Sequence, residues 1–267
     1  MFFRSNDLYL FGVLYSPTSG SCLNKGYLII HPITEEKKSS HRTLVDIAME
    51  LSRKGFFVFM FDLRGCADSQ GEFKETSITT WIADISNAIK VFKEESLISE
   101  ISIIGLRFGA YLTMIYNYLN AEIADLILVE PIFYPYNFLQ KTLKQKYIRE
   151  YCTSGEVTSS KTDILEQLKN NSIDIDGYEM TSSFYNDVIF YHKTYDPAML
   201  IHDVKGLLIS INITGKIPKK TDEILKYDNK LLHKTLKIDP FWDKIDGSNT
   251  SDLVREISNY CIKNNEK

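Results

Sequence analysis

What this chain lacks narrows it first. Four cysteines, Cys22, Cys66, Cys152 and Cys261, fall in no C-x-x-C spacing, so neither a zinc site nor a disulfide framework is expected and no metal or other cofactor is implied. No apolar run approaches the ~18 residues of a membrane span, and charge comes too early after Met1 for a secretory signal, so a cytoplasmic protein without a membrane span is expected. Neither sign of charge dominates: the net charge is −4, and no lysine/arginine stripe offers a track for phosphates, which argues against a nucleic-acid partner. Glu35-Glu36-Lys37-Lys38 mixes both signs and reads as a solvated loop. There is no internal repeat or low-complexity stretch.

What is present centres on Ile101 to Ala110. An apolar, β-branched run stops at Gly105-Leu106-Arg107-Phe108-Gly109, and a helical pattern starts at once with Tyr111, Leu112, Met114 and Ile115. Glycines on both sides of a central residue let the backbone double back from strand to helix, the layout of a nucleophile elbow. The central residue of such an elbow is usually serine; here it is Arg107.

The remaining chain reads as alternating strands and helices. Strands are expected at 8–15, 26–30, 56–61, 101–106, 125–129, 206–213 and 232–238. Helices are expected at 39–54 with Ser39 or Ser40 as cap, at 79–95, after the elbow, near 221–226 and at 251–262. Apolar runs on both faces and right-handed crossovers give a doubly wound, mostly parallel α/β sheet. Residues 134–201 break this rhythm with three helical patterns, 138–150, 161–170 and 178–190. A long insertion after a strand's carboxyl end lies over the crevice of an open α/β sheet, so 134–201 is expected as a helical cap on a core of 1–133 and 202–267.

Three segments in this order, His31-Pro32-Ile33-Thr34, Asp62-Leu63-Arg64-Gly65-Cys66-Ala67-Asp68-Ser69 and Gly105-Leu106-Arg107-Phe108-Gly109, resemble the α/β-hydrolase superfamily. With Gly177-Tyr178-Glu179-Met180 and Pro240-Phe241-Trp242, they resemble within it the exosortase A system-associated hydrolase 2 group. That resemblance implies an α/β-hydrolase fold and a setting in exopolysaccharide production and surface-protein sorting. It implies that His31 holds the turn beside the oxyanion hole. It also implies that Ile33, with Leu106 or more strongly Phe108, supplies backbone N–H groups to that hole, and that Asp62, Arg64 and Ser69 pin a turn.

The chemistry expected of a serine hydrolase is interrupted at two points. Arg107 stays protonated and only donates hydrogen bonds, so it cannot be a nucleophile. No histidine follows the last strand, where Asp239-Pro240-Phe241-Trp242-Asp243 stands, while His192, His202 and His233 lie elsewhere. The remaining catalytic candidates are Cys66 as a displaced nucleophile and Glu130 as an acid. Arg107 is a candidate for an anion, at a helix N-terminus where the dipole adds to its charge, or else for an internal carboxylate, Glu130 first and Asp239 or Asp243 next. Asp239 and Trp242 complete the expected binding set. Two functions remain open: a protein without the Ser-His-acid triad that binds a small acidic ligand or a partner under its cap, and an atypical hydrolase or acyltransferase acting on an ester, thioester or amide.

Overall fold

The computed structural model describes residues 1–18, 22–154, 166, 168, 171–227, 230–244 and 248–265. Ten strands are described: β1 Phe2–Ser5, β2 Leu8–Tyr15, β3 Lys25–Ile30, β4 Phe57–Phe61, β5 Glu100–Leu106, β6 Leu126–Val129, β7 Ile173–Ile175, β8 Tyr178–Met180, β9 Gly206–Ile211 and β10 Leu231–Leu236. Eight form one sheet in the order β1-β2-β4-β3-β5-β6-β9-β10, and β7 and β8 pair as a separate hairpin. The pairs β1–β2 and β2–β4 are antiparallel and every later pair in the large sheet is parallel. This is the expected α/β-hydrolase architecture. It sets the carboxyl ends of β3, β4, β5, β6, β9 and β10 along one edge, with β5 in the middle.

Helices cover both faces. On one side α1 (Glu35–Arg53) and the last helix (Ser251–Asn265) pack on Ile29, Val58, Ile104, Ile127 and Ile209; on the other α2 (Ile78–Ser96) and α3 (Phe108–Asn120) pack on Leu28, Phe59, Ile103 and Leu128. The central strands are mostly apolar on both faces because both faces are covered.

One strand is added and two local readings are corrected. Phe2–Ser5, to which no element was assigned, forms a strand, with Phe3 buried against Phe59 and Phe61 and Phe2 exposed. The first helix begins at Glu35 after Thr34, not at Ser39 or Ser40, so Glu35-Glu36-Lys37-Lys38 is its first turn and not a solvated loop. Two carboxylates there favour the positive end of the helix dipole. The helix expected from Tyr178 starts only at Ser182, because Gly177 at φ 87° turns β7 back into β8.

Segment 134–201 therefore holds a hairpin as well as helices, Pro135–Ser154, Ser182–Thr194 and Pro197–Ile201. The helix expected at 161–170 lies outside the described residues apart from Glu166 and Leu168. The segment is fastened to the core: Asp187 accepts the N–H of Ile78 at 2.6 Å at the start of α2, and Phe184 packs edge-on against Trp81. Phe138 rests on Phe108 with ring centroids 5.8 Å apart.

Candidate functional site

The elbow is built by close approach. A Cβ on Gly105 would stand 2.5 Å from Ala110 Cα, and one on Gly109 would stand 2.3 Å from the carbonyl oxygen of Ile30. Neither position admits a side chain, so α3 is pulled down against the end of β3. Between them Arg107 takes φ 56° and ψ −116°, a region that costs a non-glycine residue on the order of 1–3 kcal/mol. The turn is held by its own backbone: the Arg107 N–H donates to Val129, and its carbonyl accepts from Ala110, Tyr111 and Ile132. Phe108 is the first residue of α3, where an N–H has no carbonyl within the helix to pair with.

The Arg107 guanidinium pairs with Glu36, not with Glu130, Asp239 or Asp243 as expected. Nε lies 3.3 and 3.2 Å from the two Glu36 carboxylate oxygens, and a terminal nitrogen lies 2.9 Å from Oε1. The other face of the guanidinium stacks over Trp242 at 4.7 Å from the ring centroid, a cation–π contact. About a tenth of each charged side chain is exposed. Burial pushes the Glu36 carboxyl above the usual range, while Arg107 pulls it back.

The partner is Glu36 because α1 starts four residues earlier than its serines suggested, which delivers the carboxylate directly to the elbow. Glu130 is committed elsewhere. At φ 41° it folds back, and its Oε2 accepts the Ile211 N–H at 2.6 Å. Burial raises its pKa, with the Ile211 N–H and then Arg107 opposing. Asp239 is exposed and bonds Lys244 at 2.9 Å.

The other expected residues take supporting places. His31 is buried; its Nε2 accepts the Leu63 N–H at 3.1 Å, so its Nδ1 carries the proton to the Pro32 carbonyl at 2.6 Å. Burial lowers its pKa to about 4, which keeps it neutral. It therefore ties the turn bearing Ile33 to the Asp62–Ser69 turn. There, Arg64 forks onto the fully buried Asp84, and Ser69 bonds the Asp62 carbonyl. Ile33 and Leu106 are buried at either side of the elbow. Cys66 is also buried, and desolvation pushes its thiol up to about 12, the reverse of an activated nucleophile. Two of the other histidines are engaged elsewhere: His192 stacks on Tyr136, and His233 contacts Ser210 within the sheet.

Beside Glu36 lies a cavity of about 620 Å³ between α1, the Pro135–Ser154 helix, the hairpin and Trp242. Glu36, Phe138, Lys141, Asp176, Trp242 and Asp243 are among its lining residues. Lys141, which sequence reasoning passed over, makes no ion pair among the described residues. A signal for Glu36 was available: an acidic pair directly after the His31-Pro32 turn is a helix-start pattern.

The family described as serine aminopeptidase, S33, matches residues 36–172, just over half of the chain. No curated protein matches it in sequence. Among solved structures, Est1E of Butyrivibrio proteoclasticus with ferulic acid bound superposes at TM-score 0.72 and 16% identity, with both chains fully covered. A proline iminopeptidase of Mycobacterium smegmatis superposes at 0.62 and 9% identity over 99% of this chain and 98% of that one. An esterase of Exiguobacterium antarcticum does so at 0.59 and 13% identity over 100% and 99%. At these identities the likeness is one of fold.

Proposed function

From the premise that this chain belongs to the serine aminopeptidase, S33, family of α/β-hydrolases, we propose that it does not work as a serine hydrolase. In our reading it binds a small ligand through an acidic group in the crevice over the elbow, with 134–201 as the cap. The carrying observation is the elbow itself: Arg107 occupies the nucleophile position with its charge held by Glu36 and its face by Trp242. A triad acts as a unit, and here neither a hydroxyl nor an imidazole stands at the elbow.

Net charge does not draw an acid into the cavity, since Glu35, Glu36, Asp176 and Asp243 outnumber Lys141 and Arg149 along its walls. An acidic group enters by exchange. It takes the Arg107 fork from Glu36, whose carboxyl burial pushes above its usual range, while Lys141 faces the same space. The fork favours a planar or tetrahedral oxyanion over a halide. The short segments that resemble exosortase A system-associated hydrolase 2 support a role beside exopolysaccharide production or surface-protein sorting. No observation favours the alternative of an atypical hydrolase or acyltransferase, because Cys66 is a buried thiol and Glu130 is bonded to backbone.

The test has two arms. A fluorophosphonate probe should leave the protein unlabelled, and Arg107→Ser alone should not hydrolyse p-nitrophenyl acetate efficiently. Benzoate and inorganic phosphate, followed by calorimetry, should bind more tightly to Glu36→Gln than to the parent and not to Arg107→Ala. Robust ester turnover by the parent, or anion binding indifferent to both substitutions, overturns the reading.

A further inference from the structure

The lysines form no continuous stripe, but they are dense in one stretch of the chain. Between residues 205 and 238 there are eight lysines and three acidic residues, in a protein whose net charge is −4. They sit at the β9–β10 end of the sheet, where β10 is the edge strand. The densest part is the loop that leaves β9 and enters the helix Lys219–Leu225. Ile213 is 63% exposed and Ile217 39%, two aliphatic side chains in water. Lys216, Lys219 and Lys220 interleave with them and are exposed. Gly215, at φ 67°, brings the loop tip against the stem of Lys237 at the end of β10, which adds a fourth cation from a distant part of the chain.

The neighbouring acids do not cancel this charge. Asp222 pairs with Lys226 at 3.6 Å, Asp239 with Lys244 at 2.9 Å, and Glu223 reaches Lys219 only at 3.9 Å. Lys216, Lys220 and Lys237 make no ion pair among the described residues, and Lys220 instead lies 5.3 Å from the centre of the Tyr134 ring. Exposed isoleucines interleaved with exposed lysines have the chemistry of an interfacial anchor. The aliphatic side chains enter the acyl boundary while the ammonium groups meet anionic headgroups. An acidic protein would match the lysines but gives no reason for Ile213 and Ile217 to stand in water among them.

We infer that loop 212–220, with Lys237, docks this protein peripherally on an anionic lipid surface. Among the described residues no helix is long and apolar enough to cross a membrane, so the contact is with the surface alone. The loop departs one residue after Ile211, whose N–H is held by Glu130, on the same sheet edge as Arg107. Docking there turns the crevice edge of the sheet toward the lipid. The inference stands on the loop and does not depend on what the crevice binds.

The experiment is vesicle sedimentation with the full chain, comparing pure phosphatidylcholine with phosphatidylcholine carrying about 30 mol % phosphatidylserine at ~0.1 M salt. The parent should pellet with the anionic vesicles only, and less as salt is raised. Lys216→Glu/Lys220→Glu and Ile213→Asn/Ile217→Asn should each weaken pelleting by about 10-fold or more. The control pair Lys90→Glu/Lys93→Glu, exposed on α2, should pellet like the parent. All these positions are exposed, and unchanged melting temperatures establish that each variant folds. Failure of the parent to pellet, equal pelleting with neutral vesicles, equal loss in the control pair, or undiminished pelleting of the isoleucine pair overturns the inference. The first of these outcomes would assign the lysines to an acidic protein partner instead.

Discussion

Two arginine–carboxylate forks stand on opposite sides of His31, and they do different work. Arg64 grips Asp84 with Nε at 2.9 Å and a terminal nitrogen at 2.6 Å, and Asp84 also accepts from Ser5 and from the Arg64 backbone N–H. Every lone pair of that carboxylate is used, and nothing opens onto it. Arg107 grips Glu36 with similar geometry, but among the described residues the Glu36 carboxylate accepts hydrogen bonds from this one partner, and Glu36 lines a cavity. A saturated buried fork fixes a turn. A fork with one partner beside open space can exchange that partner. The difference lies in how completely each carboxylate is satisfied and not in the chemistry of the pair.

Breaking the saturated fork should cost most. Asp84→Ala strands Arg64, the Ser5 hydroxyl and a backbone N–H together, and about 4 kcal/mol of stability should be lost in urea denaturation. Arg107→Ala leaves only Glu36 without a partner and should cost about 3 kcal/mol. Arg107→Lys should recover part of that, since a point charge cannot reproduce the fork. Glu36→Gln combined with Arg107→Ala should cost clearly less than the sum of the two single changes, because the pair is coupled. An additive result would mean that the elbow fork is energetically idle.

His31 joins the two regions and offers a pH test. Its pKa falls from 6.5 to about 4 on folding, so the unfolded chain takes up a proton that the folded one does not. Its contribution is present above about pH 6.5 and is lost as pH falls toward 4. The amount is on the order of 2–3 kcal/mol, and His31→Gln should flatten that part of the stability profile. Glu36 acts in the opposite sense: its raised carboxyl pKa favours the folded state as pH falls through the window above 4.5. A profile measured in Glu36→Gln therefore removes this opposing contribution, and its difference from the Glu36→Gln/His31→Gln profile reports the histidine.

The smallest effect is expected at Cys66, which packs beside the Arg64 turn without joining either fork. Cys66→Ala should cost about 1 kcal/mol, and iodoacetamide at neutral pH should leave the native thiol unmodified. Rapid alkylation with loss of ligand binding would move Cys66 from packing to chemistry.

The sequence by itself determined the alternation of strands and helices, the strand-to-helix elbow with its flanking glycines, and the presence of arginine where a nucleophile would stand. These are local matters: periodicity, β-branching and the demand for small residues at a sharp turn act over a few neighbouring positions. Only the tertiary structure decided that Glu36 holds Arg107, that Glu130 turns to the Ile211 N–H, that Trp242 lies under the guanidinium, and that Lys216, Lys220 and Lys237 meet beside two exposed isoleucines. Each of these depends on where separate elements end relative to one another, and a four-residue difference in the start of one helix was enough to change the partner. Ion pairing and surface charge are settled by distances between segments far apart in the chain, and the packing of the sheet and its helices sets those distances.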